Sequence, residues 1–203
     1  MILSPWLGVS NFSDLQSVMM RFLDGEVRST PSHLGPLDPE SALILDELKA
    51  LTTKGFVTFD SQPGMMGRTF DDKKDYAQRA FVLGVGDHLT MSRLVTMANT
   101  VGLIVGVSTL GKGTKTFDRE LVTLGGHRED SGVMTEVAGR SPSILDELKS
   151  SMVIPRGFKK QLGELYSVTV VDPMWNTNRM WGFIIDALDG AYDDKLDGLG
   201  VFK

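Results

Sequence analysis

Hydrophobic positions along the chain alternate between helical and extended spacing. Leu15, Val18, Met19 and Phe22 recur at three- and four-residue intervals, and Asn11 stands where it can cap that helix. Ser29–Pro39 holds three prolines and a glycine and reads as a loop. Asp38 followed by Pro39 is helix-start chemistry, Ile44, Leu45, Leu48 and Leu51 form the stripe of the helix it opens, and Gly55 stops it. Phe56–Asp60 reads as a short strand, Ser61–Asp75 as a long polar loop, and residues 77–85, apolar on both faces, as a central strand. Asp87 then caps a helix carrying Met91, Leu94, Val95 and Ala98. Leu103–Val107 and, more weakly, Leu121–Leu124 read as strands, with a basic loop at Gly111–Lys115 between them. Ser141-Pro142 restarts a helix through Ile144, Leu145 and Leu148. Tyr166–Val171 is a strand ending at Asp172-Pro173, and Thr177–Leu188 is a closing helix with Met180, Trp181, Ile184 and Leu188 on one side.

This alternation predicts an α/β fold: a single domain over residues 1–203, with a mixed β-sheet flanked by helices. An internal echo lies within it. Ile-Leu-Asp-Glu-Leu-Lys occurs at 44–49 and 144–149, and each helix precedes a strand that contains Val-Thr and ends in Asp. A duplication relating 38–100 to 140–190 would place Asp60 and Asp172 at equivalent strand ends facing one cleft; convergence of leucine-rich helices is the simpler account of the echo.

Composition narrows the chemistry. The 203 residues are 41% hydrophobic and 23% charged, enough apolar material for a core. A net charge of −5 argues against non-specific binding to nucleic acid or anionic membrane. No run approaches the roughly 20 apolar residues of a membrane span. Zero cysteines exclude disulfides, thiolate metal sites and a cysteine nucleophile, and His33, His88 and His127 are too few for a histidine-rich metal centre. Without a signal segment the expected location is the cytoplasm, the host's if the protein is viral.

Candidate chemistry concentrates where strands end, because side chains and loop amides converge there. After the first strand, Asp60 is a candidate base or cation ligand, Ser61 a hydroxyl donor and Gln62 a positioning amide; turn formation is the competing account. After the last long strand, Asp172 is a second candidate base, Trp175 offers a flat apolar face to a base or sugar, and Asn176 or Thr177 can cap the following helix; the competing account is that Asp172 and Asn176 only organise the turn while Trp175 packs under it. Gly106–Gly113 nearly spells a phosphate-binding loop, but Gly113 replaces the hydroxyl that would hold Mg²⁺, so ATPase activity is not expected. Gly84-Val85-Gly86 lacks the third glycine of a dinucleotide fingerprint, and Asp87 would repel a pyrophosphate. The acidic tail (Asp186, Asp189, Asp193, Asp194, Asp197) has no calcium-loop spacing and reads as a solvated face.

Three blocks, Gly55-Phe-Val-Thr-Phe-Asp-Ser-Gln-Pro-Gly64, Gln78-Arg79-Ala80 and Val168-Thr-Val-Val-Asp-Pro-Met-Trp-Asn176, resemble an uncharacterised family of actinobacterial and viral α/β proteins. That family carries a GFVT-x-x-SQPG block and a late V-x-DP-x-W block. The resemblance spans about Asp38 to Leu188 and implies one α/β domain. It singles out Ser61, Gln62, Gln78, Arg79, Asp172 and Trp175, and it implies no reaction.

Two functions follow as expectations. The first is binding, with possible hydrolysis by Asp60 or Asp172, of a nucleotide-like or phosphorylated small molecule held by Ser61, Gln62, Gln78, Arg79, Trp175 and Asn176. No cofactor and no metal set is assigned. The second is a non-catalytic viral or accessory protein that works through a protein partner or homo-oligomer, with its eleven methionines, Trp6 and Trp181 as contact surface.

Overall fold

The computed structural model describes residues 5–31, 33–68, 75–110, 122–127, 136–138 and 155–198. Seven strands, β1 (Val57–Gln62), β2 (Met65–Arg68), β3 (Asp75–Gly86), β4 (Ile104–Thr109), β5 (Val122–His127), β6 (Glu136–Ala138) and β7 (Tyr166–Trp175), form one sheet. Helices α1 (Phe12–Leu23), α2 (Leu45–Thr53), α3 (His88–Val101), α4 (Arg156–Leu162) and α5 (Arg179–Leu188) surround it, making an α/β domain.

The long strand β3 organises the sheet. Its second half pairs with β1 (Gln62 opposite Phe81, Val57 opposite Val85) and with β7 (Val171 opposite Phe81, Tyr166 opposite Gly86). Its first half pairs with β2 and β5, so β1 and β2 lie end to end along it, joined through Pro63-Gly64. β4 flanks β7, and β6 flanks β5. Every described ladder is antiparallel, where alternation of helix and strand suggested a mixed sheet. Residues 65–68 also belong to the sheet rather than to a loop. Met-Met-Gly-Arg shows no period of its own and is extended because the edge of β3 offers it partners.

Local chemistry fixes several boundaries. Asn11 accepts from the Asp14 amide at 2.9 Å and Asp87 from the Thr90 amide at 2.8 Å, both as N-caps. Gly55 ends the turn after α2 with φ of 89°. Past Asp38-Pro39 the chain first makes a 3₁₀ turn, Ser41–Ile44, before α2 begins. Gly84 and Gly86 are explained by close packing: a Cβ on the first would lie 2.7 Å from the Phe56 ring, and one on the second 2.4 Å from Thr90. The copy of the echo at 144–149 and the basic loop 111–115 lie outside the described residues.

One core joins the helices to the sheet, with Leu15, Phe56, Met91, Val170 and Ile184 fully buried. Trp6 and Trp181 belong to it, each 2% exposed, which removes them from any contact surface. Burial of their ring area is worth more here than exposure to a partner. Met19, Met91, Met97 and Met180 are likewise buried, whereas Met66 and Met174 are exposed. The acidic tail is not only solvated: Asp193 takes a two-point ion pair from Arg93 at 2.8 and 2.5 Å, and Asp189 pairs with Lys54. Among the described residues no helix is long and apolar enough to cross a membrane.

Candidate functional site

The residues expected at strand ends divide between two places. Gln62, Gln78, Arg79, Asp172, Trp175 and Asn176 meet at a junction of β1, β3 and β7. The Gln62 amide donates to the Arg79 carbonyl at 2.8 Å, and the Gln78 amide donates to the Pro63 carbonyl at 2.8 Å. The Asn176 amide donates to the Gln78 carbonyl at 3.2 Å, with Asn176 itself in the left-handed region at φ of 56°. Between Val171 and Trp175 the β7 strand carries three residues against the single Ala80 of β3, so Asp172, Pro173 and Met174 bulge from the ladder.

Asp172 sits at the centre of that bulge, fully buried. It accepts from the Met174 amide (2.9 Å), the Thr177 hydroxyl (2.6 Å) and two Arg179 nitrogens (3.0 and 3.2 Å). Burial pushes its carboxyl up, but the bonds from Arg179, Thr177 and Met174 together outweigh burial and hold it below the usual carboxylate range. The same bond from Asp172 raises Arg179. A carboxylate with its acceptor positions filled and its proton affinity lowered is a poor general base. Its chemistry is positioning: it fixes the start of α5.

Arg79 lies over the Trp175 ring, 4.1 Å from its centroid. Burial lowers the Arg79 pKa, and the nearby Asp172 charge opposes that. The ring face expected to receive a base or sugar is therefore covered on one side by a guanidinium. Asn178, which sequence reasoning left without a role, closes the junction. Its side chain accepts from the Gly64 amide at 2.8 Å, donates to the Gly64 carbonyl at 3.0 Å and accepts from the Trp181 indole at 3.2 Å. A Cβ on Gly64 would fall 2.0 Å from the Thr177 carbonyl oxygen, so only glycine lets the two segments approach.

Asp60 and Ser61 face elsewhere. Both line a cavity of about 270 Å³ beneath β1, with Leu83 in the same wall. Asp60 pairs with Leu83, and Leu83 with Thr169 on the other side, whereas Asp172 directly follows the paired Val171. Strand alternation therefore turns Asp60 and Asp172 to opposite faces, their backbones roughly 14 Å apart from strand rise and spacing. The single cleft suggested by the echo is not formed.

The cavity has an apolar floor, including Met19, Phe22, Leu48 and Leu83, and a polar rim of hydroxyls, Asp38, Asp60 and His33. The outer wall comes from the proline-containing segment after α1. There the Thr30 hydroxyl accepts from the His33 amide at 3.0 Å, and the His33 ring engages the Pro36 carbonyl through Nε2 at 2.8 Å. Its other nitrogen lies 3.9 Å from Asp38, beyond hydrogen-bond reach. Thr58 and Ser41 were not singled out by sequence, because isolated serines and threonines carry no periodic signal, and Asp38 read only as the start of a helix. Among the described residues no three metal-ligating side chains cluster. Gly106–Leu110 forms part of β4 and the residue after it, and 111–113 of that near-motif lie outside the described residues.

Comparison with known proteins adds two findings. Over 64 residues the chain is 38% identical to a probable methylenetetrahydrofolate reductase (NADH) of Oryza sativa subsp. japonica. That stretch is 31% of this chain and 11% of the reductase, so the likeness covers a small part of each. A family model covers residues 3–191, nearly the whole α/β domain and both places described above. The chain belongs to that family, the domain of unknown function DUF6919.

Proposed function

We propose that the protein binds a nucleotide-like small molecule in the cavity beneath β1. The observation that supports this most is the cavity itself, which pairs an apolar floor with a polar rim that includes Asp60 and Ser61. At about 270 Å³ it stands at the small end of ligand pockets, which run roughly 300–1,000 Å³. It suits one ring system rather than a dinucleotide. Asp60 is the strand-end carboxylate at this cavity, beside Asp38 on the rim, and of the two candidate bases it is the one we assign to any hydrolysis or transfer there, with Asp172 in a positioning part. The junction of Arg79, Trp175 and Asn178 supports the site from the far end of β1. A chain without cysteine suits a reducing compartment, and the cytoplasm is our assignment.

The test is a thermal-shift screen against nucleosides, nucleotides and sugar phosphates, read together with mass-spectrometric turnover. The native chain should rise in melting temperature with at least one compound, and Ser61→Tyr, which fills the cavity, should abolish the response. A response unchanged in Ser61→Tyr would move the site elsewhere. Silence across the panel would favour the protein-partner reading.

A further inference from the structure

We infer that the heterocyclic base of the nucleotide-like ligand, rather than its sugar or phosphate, enters the cavity, and that the hydroxyls of Ser41 and Thr58 read its polar edge. This deepens the reading of the cavity as the ligand site and rests on it. Ser41 and Thr58 are each 5% exposed and both line the cavity. Among the described residues neither hydroxyl has a hydrogen-bond partner, yet neither is sealed away as the hydroxyls of Thr52, Ser92 and Thr96 are. A hydroxyl more than nine-tenths buried and open to a cavity is satisfied by what the cavity holds, water or the edge of a ligand. Thr30 differs, because its hydroxyl already accepts from the His33 amide.

The sheet is shaped to present that wall. Four consecutive residues, Thr58 to Ser61, line the cavity, whereas a regular strand sends neighbouring side chains to opposite faces. The ladder to β3 shifts register between Thr58 and Asp60, which inserts Phe59 as an extra residue and bends β1 at the cavity. Phe59 joins Met19, Phe22, Leu48 and Leu83 as apolar lining, and the His33 ring stands edge-on to Phe22 with centroids 6.4 Å apart. Apolar surface with hydroxyls at its margin matches a nucleobase, whose faces are apolar and whose donors and acceptors lie in the ring plane. A sugar carries hydroxyls around its whole ring, and those turned toward Met19, Leu48 and Leu83 would lose water without gaining a partner. A side-chain hydroxyl both donates and accepts, so Ser41 and Thr58 can pair with an edge that offers either. At about 270 Å³ the cavity takes one ring system, which leaves the sugar and phosphate of a nucleotide at its mouth.

Titration calorimetry of the full chain tests this with adenine, hypoxanthine, cytosine and uracil, their ribonucleosides and 5′-monophosphates, and ribose 5-phosphate as the base-free compound. At least one base should bind, its nucleotide should bind within about tenfold of it, and ribose 5-phosphate should bind at least about tenfold more weakly than that nucleotide. Ser41→Ala and Thr58→Val should each weaken that base about five- to tenfold and narrow its margin over the other bases. Thr58→Ser, which keeps the hydroxyl, should retain both affinity and margin. If ribose 5-phosphate binds as tightly as the nucleotide while no free base binds, and Ser61→Tyr abolishes that binding, the inference falls and the cavity stands as the ligand site. If a base binds but Ser41→Ala and Thr58→Val keep native affinity and preference, the two hydroxyls do not read it and the inference falls in the same way. If nothing in the panel binds, the inference and the cavity reading fall together. Should either of those variants fail to fold, the other one and the comparison of free base with ribose 5-phosphate on the native chain still decide the outcome.

Discussion

Replacing Asp172 by asparagine probes the junction most directly. The side chain keeps its volume but loses its charge and one of its two acceptor oxygens. In the native chain the two oxygens together take four hydrogen bonds, from Met174, Thr177 and twice from Arg179. An amide presents its own N–H groups to some of those donors, leaving at least one of them unsatisfied. Removing one member of a buried pair costs about 3–5 kcal/mol. Arg179 is 41% exposed and can turn to water, so the lower end, about 3 kcal/mol, is expected. For a chain of this size that corresponds to a fall of roughly 6–12 °C in melting temperature. Asp60→Asn, at an exposed position, should stay within about 2 °C of the native value. Urea and thermal unfolding of both variants, followed by circular dichroism, decide the matter. If Asp172→Asn melts with the native protein, or if Asp60→Asn falls as far, the division of the two aspartates into structural and cavity groups is wrong.

Acid sensitivity follows from the same site. The folded Asp172 carboxyl lies below its ordinary range, so the stability it contributes is full above the unfolded value, near pH 4, and is lost as pH falls through the folded value. The stability gap between native chain and Asp172→Asn should therefore narrow below about pH 4, and a constant gap in pH-dependent urea titrations would refute this. Gly64→Ala should cost about 3 kcal/mol or prevent folding, because its Cβ meets backbone that cannot step aside; a native urea midpoint would contradict that close approach. Asn178→Ala strips partners from both backbone groups of Gly64 and from the Trp181 indole, for a loss of about 2 kcal/mol by urea unfolding. Asp193→Ala releases the Arg93 pair that holds the 3₁₀ segment Asp193–Gly198 to α3, and amide exchange over that segment should quicken while α3 stays protected.

Elements whose cause is local were legible in the sequence. Asn11 and Asp87 announce their helices through a side chain that bonds an amide three residues on, and the stripes of α1 and α5 coincide with the buried sides. Residues 77–85 read as central because both faces are apolar, and the strand does have neighbours on both sides. What was not legible depends on distant partners. β2 has no pattern of its own and exists through its ladder to β3. The hydroxyls of Ser41 and Thr58 acquire meaning only when α2's leading turn is laid against β1. The stretch from Asp172 to Arg179 was recognised as a cluster, but its arrangement around one buried carboxylate depends on the bulge in β7, which no spacing reveals.

The two aspartates show why strand-end position alone does not assign chemistry. Each follows or ends a run of Val and Thr and each precedes a turn, so the sequence treats them alike. Their environments separate them. Asp172 is enclosed, and every donor around it favours the charged form, which lowers its affinity for a proton and makes it a fixed anchor for α5. Asp60 remains exposed on the other face of the sheet, at the wall of a cavity that Ser41, Thr58 and Ser61 also line. Gln62 and Gln78 connect the two places, because the turn after Ser61 is held by the Gln78 amide on Pro63 and by Asn178 on Gly64. Loosening that turn should disturb the wall that carries Ser61 without touching the cavity floor. Asn178→Ala is thus expected to weaken ligand binding by several-fold at the cavity while Met19, Phe22 and Leu48 stay packed; unchanged affinity would show that the junction and the cavity are energetically independent.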